Sequence, residues 1–289
     1  MTDKSTSSAS DKAHFGNQIE EIVRRSGSSF YWAMRRLPED KRRAMFAIYA
    51  FCREVDDIAD EPGELEEKRA ALAIWRGEIE RLYGEQPRHL ITQALLEPIE
   101  RYGLLKDDFR AIIDGMHTDA EESVRIATMA DLEQYCDRVA SAVGRLSVRV
   151  FGVPEDLGIK LAFAQGQALQ LTNILRDVKE DADRNRLYLP RDLLISHDIV
   201  TDDIEAVISN PALADVCELL SHIAARRFQE ARLLIKQCKR EQVRPAVMMM
   251  EVYSQILEKL MTRGWHDLSR PVRLSKFEKA WTALRYGLF

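Results

Sequence analysis

The chain has 289 residues, 46% of them hydrophobic and 31% charged, a balance that excludes a disordered or fibrous protein. Its formal net charge of −5 argues against nucleic acid as the main partner, because phosphate-backbone binding needs a basic surface. No apolar run reaches the roughly 18–20 residues needed to span a bilayer.

In chain order, the first residues, 1–12, are polar and rich in Ser and Thr, and read as a disordered tail without the apolar core of a signal peptide. Residues 13–289 then read as one domain of helices. Apolar periodicity predicts them at His14–Arg25, Glu39–Asp60, Glu64–Tyr83, Leu90–Tyr102, Lys106–Asp119, Ala130–Phe151 and Glu155–Glu180. Further helices are predicted at Pro211–Lys239, Pro245–Gly264 and Ser275–Tyr286. Breaks fall at Glu61-Pro62-Gly63, Gly84–Pro87, Gly103, Gly152-Val153-Pro154 and Asn210-Pro211. No strand alternation, βαβ rhythm or fixed repeat is present, and the scarcity of Gly (13) and Pro (9) agrees with an all-α fold.

Two helices carry stretches of small, uncharged residues, 139–144 and 161–171. Close helix packing explains such stretches most simply, and room for a long apolar ligand is the sharper alternative. Cys52, Cys136, Cys217 and Cys238 are widely spaced and fit reduced thiols of a cytoplasmic protein. The six histidines form no ligand pattern.

The most informative residues are acidic. Asp56 and Asp60 stand at i and i+4, on one helix face, after the apolar run Ala44–Cys52 and beside Arg53. Asn173, Asp177 and Asp181 stand at i, i+4 and i+8; the drift of about 40° per step keeps them on one face as well. Like charges at this spacing repel, so a cation is expected to offset them. Carboxylate and amide oxygens are hard donors that suit Mg²⁺, which takes one or two carboxylates together with substrate phosphates. Arg53, Arg176 and Arg186 add bidentate phosphate partners. Ser28 and Ser29 precede an apolar helix and fit either capping or phosphate binding. The acidic stretch Asp114, Asp119, Glu121, Glu122 reads mainly as a solvated helix end, with a pocket role for Asp119 the minority reading.

On these residues the chain resembles the squalene/phytoene synthase family over nearly its whole length after the tail. The resemblance rests on Ser28–Tyr31, Leu37-Pro38, Ala47–Asp60, Tyr135-Cys136 with Val143-Gly144, Gln170–Asp181 and Arg186–Pro190. It implies an all-α isoprenoid synthase fold around a central apolar tunnel. Asp56, Asp60, Asn173, Asp177 and Asp181 would be Mg²⁺ ligands (Mn²⁺ being a possible substitute), the four aspartates acting in catalysis through the metal. Ser26, Gly27, Ser28, Ser29, Tyr49, Arg53, Gln170, Arg176, Arg186, Tyr188 and Tyr253 would contact diphosphate or substrate, and Tyr135 would handle the proton lost on cyclopropane formation. Many relatives carry His, Ser and Lys where this chain has Ser26, Gly27 and Ser28, so only Ser29 matches in that loop.

Within the family, residues Arg24–Tyr31, Phe51–Arg53 and Asp56–Gly63 are most like the bacterial presqualene diphosphate synthases of hopanoid pathways. That branch implies two farnesyl diphosphates as substrates, no NADPH, and hopanoid-pathway enzymes downstream. Phytoene synthase, squalene or dehydrosqualene synthase, a single-substrate terpene cyclase and a non-catalytic helical scaffold are the alternatives. The stretch from Thr262 to Phe289 carries a local net charge of +4, and with Trp265, Trp281, Tyr286 and Phe289 it suggests either lipid contact at a membrane surface or packing of a last helix.

Overall fold

The computed structural model describes residues 18–25, 29–275 and 278. Residues 18–25 (α1) are helical, followed by α2 (Ser29–Met34), α3 (Glu39–Asp60), α4 (Leu65–Tyr83), α5 (Leu90–Tyr102) and α6 (Lys106–Asp119). A two-residue strand, β1 (Val124–Arg125), precedes α7 (Met129–Cys136), one π-helical turn (Asp137–Ser141) and α8 (Ala142–Phe151). Then come α9 (Glu155–Asp183), β2 (Arg186–Leu187), α10 (Arg191–Ser196), α11 (Ile204–Ile208), α12 (Leu213–Ile235) and α13 (Arg240–Arg263). The tail and the last predicted helix apart from Ser275 and Glu278 lie outside the described residues, as do Trp281, Tyr286 and Phe289.

Helix ends follow local chemistry. Glu39 and Asp40 complement the dipole at the start of α3. Thr128 and Asp131 form a reciprocal capping box on α7. Gly103 and Gly152 end α5 and α8 with positive φ, where a side chain would be strained. Two predicted starts are displaced. Helix α13 begins at Arg240 and runs through Pro245, which forgoes one hydrogen bond to the Glu241 carbonyl, and α12 begins at Leu213. The short helices α2, α10 and α11 lack enough turns to show a period, and the two strands pair in parallel over only two residues each.

α9 runs 29 residues, about 43 Å, and packs against α8, α12 and α13. Phe51 on α3 is fully buried, edge-on to Trp75 of α4 at 5.6 Å and to Phe109 of α6 at 5.2 Å. That cluster fixes the roll of α3. Val55 and Ala59 follow Phe51 into the core, leaving Tyr49, Arg53, Asp56 and Asp60 on another stripe. Among the described residues no helix is long and apolar enough to cross a membrane.

Candidate active site

Helices α2, α3, α6, α8, α9 and α13 enclose a cavity of about 310 Å³. Its wall is mostly apolar, with Met34, Met45, Ile112, Val148, Phe151 and Leu161 among the lining residues. Asp56 lies eleven residues beyond Met45 on α3, and Asn173 twelve beyond Leu161 on α9, so the wall extends about 17–18 Å along each helix. The polar lining at the other end is Tyr49, Arg53, Asp56, Gln170, Asn173 and Tyr253, all six expected from the sequence.

Both readings of the small-residue stretches hold. A Cβ at Gly166 would stand 2.6 Å from the Ser141 Cα, and one at Gly144 would stand 3.1 Å from Ala162, so these glycines are packing contacts between helices. Gly144, Gly166, Ala140 and Ala162 also line the cavity. The π turn between α7 and α8 offsets Tyr135 from the regular stripe of α8.

At the rim, Arg53 binds Asp56 at 3.0 Å and also pairs with Asp57. Arg176 binds Asp177 at 2.7 Å through Nε. The Tyr253 hydroxyl faces the Arg176 guanidinium and the Asn173 amide. Arg186 donates to Asp60 at 2.7 Å and to the carbonyls of Ala59 and Asp119 at 3.1 and 2.8 Å. The end of α3 is thereby tied to β2 and to the end of α6. Burial, then the charge of Asp60, pushes the Asp56 carboxyl up to about 6, while Arg53 draws it down. Burial, then Asp177, pushes Asp181 up to about 7. Ser26, Gly27 and Ser28 lie outside the described residues, and so does the side chain of Ser29.

One expectation is corrected. Asp119 is not part of a solvated helix end: it is 8% exposed, because α6 ends beneath β2 and α7. Its carboxylate accepts hydrogen bonds from Tyr135 at 2.9 and 3.1 Å and from Tyr188 at 2.7 Å, and the two rings stack at 4.9 Å. Asp114 and Glu121, by contrast, pair at the surface with Arg76 and Arg69. Trp265 is buried, with the Arg263 guanidinium over its ring, and presents no face to a lipid surface.

The rim suits divalent cations. Asn173 Oδ1 is buried without a hydrogen-bond partner, an acceptor left open on a residue that lines the cavity. Four carboxylates crowd the same end of the cavity, two of them held above their usual range. Among the described residues no three acidic, histidine or cysteine groups converge closely enough to hold a metal ion by themselves. Open sites of this kind match Mg²⁺, which completes its shell with water and phosphate oxygens.

The profile described as Squalene/phytoene synthase matches residues 23–278. The chain is 45% identical over 262 residues to a presqualene diphosphate synthase of Sinorhizobium fredii, an alignment that covers 91% of this chain and 94% of that protein. It is 46% identical over 263 residues to a presqualene diphosphate synthase of Rhodopseudomonas palustris, again covering 91% and 94%. The crystal structure of a dehydrosqualene synthase superposes with a TM-score of 0.82 at 24% identity, over 96% of this chain and 97% of that one, which gives the all-helical isoprenoid synthase fold. The chain belongs to the squalene/phytoene synthase family.

Proposed function

We propose that the protein is a presqualene diphosphate synthase, condensing two farnesyl diphosphates head to head and releasing one diphosphate. The observation that carries this is the 45% identity, across 91% of the chain, to a protein of that name. The geometry supports it, with an apolar chamber whose acidic rim is set with arginines.

Asp56 and Asp60 on one side, and Asn173, Asp177 and Asp181 on the other, would hold Mg²⁺, or Mn²⁺ with the same preference for oxygen. When bound, the metal neutralises charge growing on the leaving diphosphate. Arg53, Arg176 and Arg186 now pair with carboxylates and would exchange them for phosphate oxygens. Tyr49, Gln170, Tyr188, Tyr253 and the Ser26–Ser29 loop would orient the substrates. Breaking the C1–O bond leaves its electron pair on diphosphate and an allylic cation on carbon. The apolar wall keeps water from that cation. The double bond of the second substrate then attacks C1, and loss of a proton closes the cyclopropane. No step consumes NADPH, and the product passes to downstream enzymes of hopanoid synthesis.

Product analysis tests this. Purified protein with Mg²⁺ and farnesyl diphosphate is expected to yield a C30 cyclopropyl diphosphate by mass spectrometry, in equal amount with and without NADPH. Squalene formed only with NADPH would make it a full squalene synthase. A C40 product from geranylgeranyl diphosphate, with none from farnesyl diphosphate, would overturn the chain length.

A further inference from the structure

Tyr135 does not stand alone. Its hydroxyl proton is committed to Asp119, at 2.9 Å from Oδ1 and 3.1 Å from Oδ2. Tyr188 gives its proton to the same Oδ1 at 2.7 Å. The Asp119 backbone carbonyl accepts from Arg186, the residue that also carries Asp60. None of Asp119, Tyr135 and Tyr188 is among the residues that line the chamber, but two of them follow or precede its wall residues in sequence. Asp119 is one turn past the wall residue Met116 on α6, and Tyr135 stands four residues before the wall residue Val139, across the π turn.

A neutral tyrosine is a poor base. Here burial and the adjacent carboxylate hold the Tyr135 phenol well above its usual range, so it does not lose its proton in advance. It can accept a proton from carbon only while its own proton leaves in the same step. The group placed to receive that proton is Asp119. Charged groups bearing on this carboxylate are Arg186 of β2, Asp56 of α3 and Asp181 of α9. Burial outweighs the two tyrosine bonds and raises Asp119 to about 7, which makes it a proton acceptor matched to neutral conditions.

Resting on the function proposed above, we propose that Asp119 is the positioning residue of the ring-closing step, aiming the Tyr135 hydroxyl and receiving its proton. The C–H electron pair forms the last ring bond, the substrate proton passes to the Tyr135 oxygen, and the Tyr135 proton passes to an Asp119 oxygen. Released diphosphate is the competing base.

The test measures inorganic diphosphate and presqualene diphosphate side by side in the same reaction. The wild type should give one of each per turnover. In Asp119→Asn, ring closure should fall about 100-fold or more while ionisation falls less. The ratio of diphosphate to cyclopropyl product should then rise at least about tenfold, with farnesol making up the balance. Asp119→Glu should bring the ratio back toward one. A purely structural role would lower both products in proportion, so an unchanged ratio in Asp119→Asn overturns the proposal. If that variant fails to fold, Asp119→Ser takes its place, a raised ratio supporting the relay and a ratio of one overturning it; a ratio of one in Tyr135→Phe overturns it as well. A wild type that makes no cyclopropyl product would instead remove the underlying function, and the proposal with it.

Discussion

Arg186 and Asp60 are 126 residues apart in sequence, yet the guanidinium donates to the carboxylate at 2.7 Å. Arg186 is largely enclosed, and its remaining donors reach the carbonyls that end α3 and α6. The bond therefore positions Asp60 through a residue that is itself held by backbone, and on substrate binding the same guanidinium would pass from Asp60 to phosphate. Replacing Arg186 with Ala is expected to lower kcat/KM by about 100- to 1000-fold, the range seen when a donor aimed at developing negative charge is removed. Arg186→Lys should recover only a small part, because an ammonium cannot span Asp60 and two carbonyls together. A diphosphate-release assay reads both.

The acidic rim is expected to work against folding. Asp56 and Asp181 are held above their usual range by burial and like charge, so each costs stability once it is ionised. Both costs are absent near pH 4, grow as pH rises, and are complete above about 6 for Asp56 and about 7 for Asp181. Asp181→Asn should therefore melt at or above the wild-type temperature at pH 8 while losing most activity. Calorimetry and activity on one preparation check this, and a clearly lower melting temperature would refute it.

Chelation should separate the metal from the fold. With no self-sufficient metal cluster among the described residues, EDTA is expected to abolish turnover and leave the far-UV circular dichroism and melting temperature nearly unchanged. Adding Mg²⁺ with inorganic diphosphate should raise the melting temperature of the wild type but not of Asp177→Asn. Cooperative unfolding on chelation would instead mark a structural ion.

Glu78 is a buried carboxylate far from the chemistry. Burial alone would raise it, but bonds from the His89 and Arg88 amides, Arg81 and Thr92 outweigh that and pull it from 4.5 to about 2. Since its folded value is depressed, its contribution is complete above pH 4.5 and disappears as pH falls toward 2. At neutral pH it amounts to about 3 kcal/mol, an order-of-magnitude figure. Glu78→Gln should unfold earlier in denaturant at pH 7, and its deficit should shrink below pH 4.

Gly166 tests the packing that shapes the chamber. A methyl group there would meet the Ser141 backbone at 2.6 Å, and backbone has little room to yield. Gly166→Ala should cost about 1–3 kcal/mol. Gly144→Ala, at 3.1 Å from Ala162, should cost less. Thermal melts of the two variants give the order directly.

The long helices and both acidic stripes were legible in the sequence because they are local. The spacing of Asp56 and Asp60, or of Asn173, Asp177 and Asp181, sets a common face as soon as the helix forms. The apolar run before Arg53 likewise fixed which part of α3 would be buried. Asp119 was the residue that local reasoning ranked wrongly, with a pocket role only its minority reading. It closes a helix among other acids, and nothing near it in sequence announces Tyr135, 16 residues on, or Tyr188, 69 residues on. The same holds for Arg186 and Asp60, and for the meeting of Gly166 with Ser141. Periodicity encodes which way a side chain faces from its own helix. Which partner waits there is decided only when α3, α6, α7 and α9 pack together and bring distant segments into contact.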